Sequence, residues 1–242
     1  MKLEEINDRV KLLWPNREFT KVYMSGGSYW DQLHELIPSQ LIRGLKKHND
    51  TIGDALSQGQ IKSKQWLLEI LQGIDLGMVF ICAGWYGILA IMMFEDENIF
   101  VNKIRSFDID DNCWKIAEDF NRPWTKDNWK FKASTLDITT MQFPTKYKTY
   151  RANGTSLILD EMPDTIINTS CEHIEKFTEW FNAIPKGKLV ALQTNNYFDL
   201  PEHVNCVKNL AEFKEQAPLS DVIFGGRLEL EKYTRFMLIG YV

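Results

Sequence analysis

The segment CAGWYG at residues 82–87 is the first part of the chain whose residue types could do chemistry. Gly84 and Gly87 would let an anionic or polar ligand approach the backbone, and a helix starting there would point unpaired N–H groups at that ligand. Asp108 follows about two dozen residues later, where an acid in a dinucleotide-type fold accepts hydrogen bonds from a ribose diol. Together they predict a site for a ribose-containing ligand. Two plainer alternatives stay open: a tight turn without a ligand, and a helix N-cap at Asp108.

The elements that must position these residues are a buried strand and a buried helix. Residues 79–82 form a short apolar run rich in β-favouring side chains, and residues 88–94 continue as an apolar helix. The whole apolar stretch approaches the length of a membrane span. Its acidic flanks, Asp75 on one side and residues 95–97 on the other, argue against a span, as do its central aromatic residues. The predicted order is strand, glycine turn and helix.

Composition narrows the class of protein. The chain has 242 residues and 44% hydrophobic content, which favours one α/β domain with an N-terminal extension. Its four cysteines are scattered without a CxxC pair, so neither a metal site nor a disulfide framework is predicted. The N-terminus lacks an apolar signal core, which favours a cytoplasmic protein with no membrane partner. A net charge of -5 argues against a surface that wraps nucleic acid.

Helix and strand signals divide the chain near Gly73. Residues 1–72 are interpreted as a helical extension, whose last helix is the amphipathic IKSKQWLLEILQGI. Residues 73–242 alternate strands and helices at a spacing that implies βαβ crossovers and a parallel sheet. One segment, YKTYRANGTSLILD, alternates instead around Asn153 and Gly154, which predicts an inserted β-hairpin near the active-site edge, where it is expected to form part of the acceptor pocket. Its basic and aromatic side chains suit either a nucleic-acid contact or a solvated face with cross-strand pairs.

Residues 73–242 resemble class I S-adenosylmethionine-dependent methyltransferases. The segments that carry the resemblance are VFICAGWYGILA, IRSFDIDDNCWKIA, ASTLDITT, IPKGKLVALQTNNY and the terminal pair DVIFGGRLEL and RFMLIGYV. The resemblance implies an α/β, Rossmann-like three-layer sandwich with a mixed seven-stranded sheet of order 3-2-1-4-5-7-6, its last strand antiparallel. It also implies that the N-terminal extension forms part of a lid over the site. The substrate-facing insertions are similar to those of uncharacterised methyltransferases of tailed phages.

The resemblance implies S-adenosylmethionine as the cofactor. In that family the glycine loop holds the methionine part, the acid ending the second strand holds the ribose, and an acid after the third strand lies by the adenine. The positions carried over to this chain are Cys82, Ala83, Gly84, Trp85, Tyr86, Gly87, Asp108, Ile109, Asp137, Ile138 and Asn168. The loop departs from the family's G-x-G-x-G pattern and lacks the acid that usually precedes it.

The loop TSCEH at residues 169–173 would face the methyl donor in the resembling family. His173 is the candidate general base because histidine titrates near neutrality, and Glu172 is the second candidate. Alternatively, Ser170 and Glu172 cap a helix and His173 packs beneath it. Cys171 is not predicted as a nucleophile because no activating neighbour is evident. Asn168 matches the first position of the [DNS]PP[YF] motif of amino methylases, but the prolines are missing, so adenine or cytosine amino methylation is not predicted.

The sequence indicates the residues that bind the methyl acceptor less specifically than those that bind the cofactor. The candidate substrate-binding residues are Ser170, Asn195, Tyr197 and His203. A small-molecule acceptor is favoured, while a nucleic acid or a protein is possible. Gln60 and Lys64 either reach the cofactor's carboxylate or belong to a solvated helix face.

The predicted activity is methyl transfer from S-adenosylmethionine to an unidentified acceptor by in-line displacement, in which positioning supplies much of the rate. One alternative is another reaction of the same sulfonium, of the cyclase or aminocarboxypropyl or aminopropyl transferase type. The other is a binding protein that has kept the fold without activity. The sequence carries no signal for the oligomeric state.

Overall fold

The computed structural model of the chain describes His48 and residues 54–242. The helices predicted within residues 1–47 lie outside the described residues, and the division at Gly73 into two domains stays a prediction. The helix predicted over IKSKQWLLEILQGI is confirmed as α1, Gln58–Leu71, which begins at Ser57 as its N-cap. Its apolar face is buried in the same core as the sheet, so this helix packs on the domain that follows it.

The main sheet has seven strands, and its predicted order is confirmed. In spatial order it runs β3-β2-β1-β6-β7-β9-β8, which is 3-2-1-4-5-7-6 once the separate β4-β5 pair is left out of the numbering. Strand β9 is antiparallel to both of its neighbours, and the other pairs are parallel. The strands are β1 Met78–Cys82, β2 Lys103–Asp108, β3 Phe131–Thr135, β4 Thr145–Tyr150, β5 Ser156–Glu161, β6 Thr165–Asn168, β7 Leu189–Asn195, β8 Asp221–Glu229 and β9 Thr234–Tyr241.

Helices cover both faces of the sheet and give the predicted three layers. The remaining α-helices are α2 Ile88–Glu95, α3 Cys113–Phe120, α4 Arg122–Lys126, α5 Phe177–Ala183 and α6 Leu210–Gln216. Alternate residues of β1 point to opposite faces, so Val79 and Ile81 belong to the core beneath α1, α2 and α3. Phe80 and Cys82 belong to the second core, beneath α5 and α6. Because both faces are covered, β1 is apolar throughout rather than alternating.

The apolar stretch at residues 78–94 is a strand, a turn and a helix, as predicted. Strand β1 ends at Cys82, and α2 starts at Ile88 after Gly87, whose φ is 70°. Helix α2 has only eight residues and buries most of its length against the sheet. In the described part of the chain, we find no helix with the length and apolar character that crossing a membrane requires.

The predicted hairpin is confirmed as an antiparallel pair, β4 and β5, joined by residues 151–155. Tyr147 is buried and contacts Phe107 edge-on, with ring centroids 4.9 Å apart. Its buried ring cannot stack on a base, so the nucleic-acid interpretation is wrong for this residue. Lys146 instead lies opposite Asp160, 3.8 Å away, on a solvated face. The hairpin lies between β3 and β6 in the chain and packs against β2 through Tyr147.

A partly buried ion pair joins the hairpin to the sheet. Arg105 of β2 donates from Nε to Glu161 Oε2 at 2.6 Å and from Nη2 to Oε1 at 2.9 Å. Tyr147 also donates its hydroxyl to Glu161. None of the described residues that line the candidate site comes from this hairpin, so the expectation that it helps form the acceptor pocket is wrong.

Candidate functional site

A cavity of about 1250 Å³ lies at the carboxyl edge of the parallel strands. Its walls come from the loops that follow five strands, β1, β2, β3, β6 and β7, together with the start of α1 and the turn between β8 and β9. Parallel strands place these loops on one edge of the sheet, although they are far apart in sequence. Seven acidic and four basic residues of the described chain line the cavity, so it favours a cationic ligand.

The glycines of the turn are explained by packing within the protein. A Cβ on Gly84 would lie 2.1 Å from Ser106 Oγ, and a Cβ on Gly87 would lie 2.8 Å from Asn121 Nδ2. Neither glycine lines the cavity. The tight-turn alternative therefore accounts for these two positions. The parts of the turn that do reach the cavity are Ala83 and Trp85, with φ of 54° and 48°.

Asp108 lies at the tip of β2, lines the cavity and anchors the neighbouring turn. Its Oδ2 accepts from the Trp85 N–H at 2.8 Å, and its Oδ1 accepts from the Asp110 N–H at 3.1 Å. Burial raises the pKa of this carboxyl, and hydrogen bonding to backbone N–H groups partly opposes that rise. A carboxylate offers about four acceptor positions, so about two stay available to a ligand. The helix N-cap alternative is wrong, because Asp108 bonds the turn rather than a helix start.

The other predicted cofactor-binding residues divide into two groups. Those that line the cavity, besides Asp108, are Ala83, Trp85, Ile109, Asp137 and Ile138. Those that do not are Cys82, Gly84, Tyr86, Gly87 and Asn168. Two members of the second group contact other parts of the protein. The Tyr86 ring stacks on Trp85 with ring centroids 4.9 Å apart, and Asn168 Oδ1 accepts from the Ser170 N–H at 2.9 Å.

The loop after β3 presents one acid to the cavity. Asp137 Oδ1 accepts from the Thr139 N–H at 2.9 Å and from the Thr139 hydroxyl at 2.7 Å. These bonds cap a short 3-10 turn, Ile138–Thr140, and fix the carboxylate at the cavity wall. The acid therefore stands beside the apolar Ile138 on the same wall as Asp108.

The part of the cavity formed by the loops after β6 and β7 contains a buried ion pair. Glu172 and Arg235 are each about 2% exposed or less, and Arg235 Nη2 lies 3.3 Å from Glu172 Oε1. Asn195 Nδ2 donates to the same oxygen at 2.7 Å, and Arg235 Nη1 donates to the Thr169 carbonyl at 2.8 Å. The helix-cap alternative for Glu172 is therefore wrong. Sequence reasoning missed Arg235, and its only signal was a lone charge within the apolar β9.

Lys64 of α1 is close to this pair and is buried, so the solvated-face alternative is wrong for it. Its Nζ donates to Gln60 Oε1 at 2.6 Å. Burial lowers the pKa of Lys64 to about 7; the charge of Arg235 also lowers it, and that of Glu172 opposes the change. Gln60 lines the cavity, whereas Lys64 lies behind it.

Two histidines stand above the ion pair. His173 and His203 both line the cavity, and their ring centroids are 4.7 Å apart with an interplanar angle of 82°. His173 is exposed, so the alternative in which it packs beneath a helix is wrong. Tyr197 and Tyr233, which also line the cavity, stack on each other with ring centroids 5.8 Å apart. Sequence reasoning missed Tyr233, which lies in the turn between β8 and β9.

The remaining candidates of the loop after β6 are also placed. Ser170 lines the cavity, and its side chain makes no cap hydrogen bond. Cys171 is fully buried, and burial raises the pKa of its thiol well above the usual value. A thiol in that state is a poor nucleophile, which agrees with leaving it out of the predicted catalytic residues.

Comparison of the sequence with protein-family models and with curated proteins finds no match. Solved structures do share the fold. The YcgJ protein of Bacillus subtilis is 10% identical with a TM-score of 0.51, covering 74% of this chain and 97% of its own. The N-methyltransferase NodS of Bradyrhizobium japonicum is 8% identical with a TM-score of 0.51, covering 74% and 94%. A geranyl diphosphate methyltransferase, solved with S-adenosylmethionine, is 9% identical with a TM-score of 0.50, covering 90% and 92%.

At these identities the similarity shows the fold alone. The chain has a Rossmann-like α/β fold, with a mixed seven-stranded sheet and helices on both sides, and these three proteins share that fold.

Proposed function

We propose that this protein is an S-adenosylmethionine-dependent methyltransferase acting on an unidentified acceptor. The observation that carries the proposal is Asp108, a carboxylate with free acceptor positions at the tip of β2, beside the turn that follows β1. Proteins of the same fold include two that are named as methyltransferases, one of them solved with this cofactor. Bound here, the cofactor would supply a methyl group on a sulfonium.

The lining residues fit the cofactor's parts. Asp108 would accept from the ribose hydroxyls, and Ile138 with Asp137 would lie by the adenine. The backbone at Ala83 and Trp85 would border the methionine part, with Gln60 near its carboxylate. The acidic excess of the lining suits the cationic sulfonium. A volume of about 1250 Å³ leaves room for an acceptor beside the cofactor.

We assign the acceptor side to the residues after β6 and β7. A base is needed only when the attacking atom carries a proton, and His173 is the candidate because its Nδ1 donates to the Glu202 carbonyl, which leaves the lone pair on Nε2. Glu172 is the second candidate, and Arg235 and Asn195 hold its carboxylate through Oε1. Ser170, Asn195, Tyr197 and His203 border the same space. We favour a small-molecule acceptor, since the hairpin offers the cavity no surface for stacking bases.

The test is calorimetry with S-adenosylmethionine on the wild type and on Asp108→Ala. Two charge-assisted hydrogen bonds to a ribose contribute roughly 1.5 to 3 kcal/mol each, so the variant should bind at least about tenfold more weakly. The matched control is Asp111→Ala, an exposed acid three residues away that does not line the cavity. Equal affinity in the wild type and Asp108→Ala would contradict the ribose assignment.

A second measurement separates a ribose contact from damage to the turn, because Asp108 also holds the Trp85 N–H. S-adenosylhomocysteine and its 2′,3′-dideoxy analogue should differ in affinity for the wild type and bind the variant about equally. Product analysis then identifies the reaction. S-adenosylhomocysteine would support methyl transfer, and methylthioadenosine would support the other sulfonium chemistry.

A further inference from the structure

Three side chains with metal-binding atoms meet on the acceptor side of the cavity. They are Glu172, His173 and His203, and one ligand-capable atom of each lies within 4.8 Å of the other two. The first two follow β6, and the third follows β7, so only the fold brings them together. We propose that these three side chains bind a divalent transition-metal ion.

The two imidazoles are held in the tautomer that a metal needs. His173 Nδ1 lies 3.1 Å from the Glu202 carbonyl oxygen, and His203 Nδ1 lies 2.7 Å from the Tyr197 carbonyl oxygen. A carbonyl only accepts, so each Nδ1 carries the proton and donates it. The lone pair of each ring is then on Nε2. Ligand histidines are typically oriented in this way, through the ring nitrogen that does not bind the metal.

Glu172 supplies an oxygen without a partner. Its Oε1 accepts from Asn195 and Arg235, whereas its Oε2 is buried and has no hydrogen-bond partner among the described residues. Leaving a buried carboxylate oxygen unpaired costs free energy. A cation at Oε2 would remove that cost, and the two bonds to Oε1 would keep the carboxylate oriented toward it.

The charged residues around the three side chains are compatible with the binding of a divalent cation. Arg235 is a positive neighbour of Glu172 and would weaken the binding of a cation, and Lys64 would add to this effect when protonated. Against them, the cavity lining also carries Glu175, Glu202 and Glu231. Two imidazoles with one carboxylate suit Mn²⁺, Fe²⁺, Co²⁺ or Zn²⁺ better than Mg²⁺ or Ca²⁺, which prefer oxygen ligands.

Binding would require a small adjustment and would leave part of the ion's coordination open. Metal–ligand distances of about 2.0–2.2 Å place neighbouring ligand atoms about 3 to 3.5 Å apart. His173 is exposed and His203 half-buried, so their rings can close that gap. Three protein ligands leave positions for water or for an oxygen of a second molecule in the cavity. A metal-bound Nε2 has no lone pair for a proton, so this role replaces that of general base for His173.

Co²⁺ titration of untagged, chelator-treated full-length protein tests the proposal without cofactor or acceptor. We expect saturable binding at one ion per chain, with a visible d–d absorption band. His173→Ala and His203→Ala should each weaken binding at least about tenfold. These results stand apart from the proposed function, because failure to bind S-adenosylmethionine would not alter them.

The controls use the chain's other histidines, since it has four in all. His48 instead contacts Asp119, with Nε2 to Oδ2 at 3.1 Å, and His34 lies outside the described residues. The double variant His34→Gln/His48→Gln should bind Co²⁺ as the wild type does. No saturable binding by wild type below about 100 μM, or unchanged binding in both cluster variants, would overturn the proposal. Circular dichroism establishes that each variant is folded.

Discussion

The polar residues beneath the acceptor side are unusual for a protein core. Glu172, Arg235 and Lys64 are charged types, yet all three are less than 10% exposed. Burying a charge costs free energy that pairing only partly repays, so such clusters are poor devices for stability. Their position beside the cavity is better explained by function, in which Arg235 fixes the orientation of the Glu172 carboxylate.

The burial of Lys64 leads to a prediction of how the stability of the fold depends on pH. Its pKa is about 7 in the folded chain against an ordinary 10.5, so between these values the unfolded chain binds more protons. The free energy of unfolding contributed by this residue therefore rises with pH across that window and is lowest below about pH 7. In urea melts, the free energy of unfolding of the wild type should rise by about 1 to 2 kcal/mol relative to that of Lys64→Met between about pH 7.5 and about pH 9.

The matched control for that prediction is Lys62→Met. Lys62 lies on the same helix two residues away but is exposed, so it has no comparable desolvation to relieve. Its variant should follow the wild type across the same pH range. Parallel stability curves for wild type and Lys64→Met would show that Lys64 stays charged in the fold.

At the scale of elements, the turn from β1 into α2 decides how the site is built. Gly84 is required by its neighbour in β2, because a Cβ there would meet Ser106 Oγ at 2.1 Å and Ile81 Cγ2 at 3.1 Å. The close approach lets the Gly84 N–H reach the Phe107 carbonyl at 2.9 Å. The Trp85 N–H is thereby brought to Asp108. The turn that follows β1 is therefore held to β2 by contacts within the protein alone.

A double-mutant cycle tests this role of Gly84. Gly84→Ala should lower the free energy of unfolding by about 1 to 3 kcal/mol, as overpacking does. Adding Ser106→Ala removes the nearest atom and should restore at least about 1 kcal/mol relative to the sum of the single changes. Equilibrium denaturation of the four proteins gives the coupling. A Gly84→Ala protein with wild-type stability but weaker cofactor binding would assign the glycine to the ligand instead.

The hairpin shows how an element can be predicted while its role is not. The Asn153–Gly154 turn and the alternation of β4 and β5 identified it from local sequence alone. Which face it buries depends on Arg105 and Phe107 of β2, about fifty residues earlier in the chain. Tyr147 therefore looked like a residue that could stack on a base, and it is a core residue instead.

At the scale of the whole molecule, the carboxyl edge collects residues from almost the entire described chain, from Asp54 to Arg235. A ligand that binds there contacts several loops at once and binds only the folded state. S-adenosylmethionine at about one hundred times its Kd should therefore stabilise the fold by about 2.7 kcal/mol. Differential scanning fluorimetry should show the corresponding rise in Tm.

Methionine at the same concentration is the control for that shift, because it lacks the adenosyl group that Asp108 and Asp137 would hold. Asp108→Ala should show a smaller rise in Tm than the wild type at equal cofactor concentration. An unchanged Tm with millimolar S-adenosylmethionine would favour the alternative of a binding protein that keeps the fold without the cofactor.

The alternation of apolar strands and helices predicted the parallel sheet and the edge where the cavity lies, because periodicity is a local property of the sequence. The order of the strands followed from the resemblance to a known family. The spacing of Asp108 from the turn likewise identified a residue that lines the cavity. Only the tertiary structure decided which neighbours each residue meets. Arg235 beside Glu172, the burial of Lys64, and His203 facing His173 all join distant segments. No local pattern encodes these contacts, because they depend on how strands and loops pack across the whole sheet.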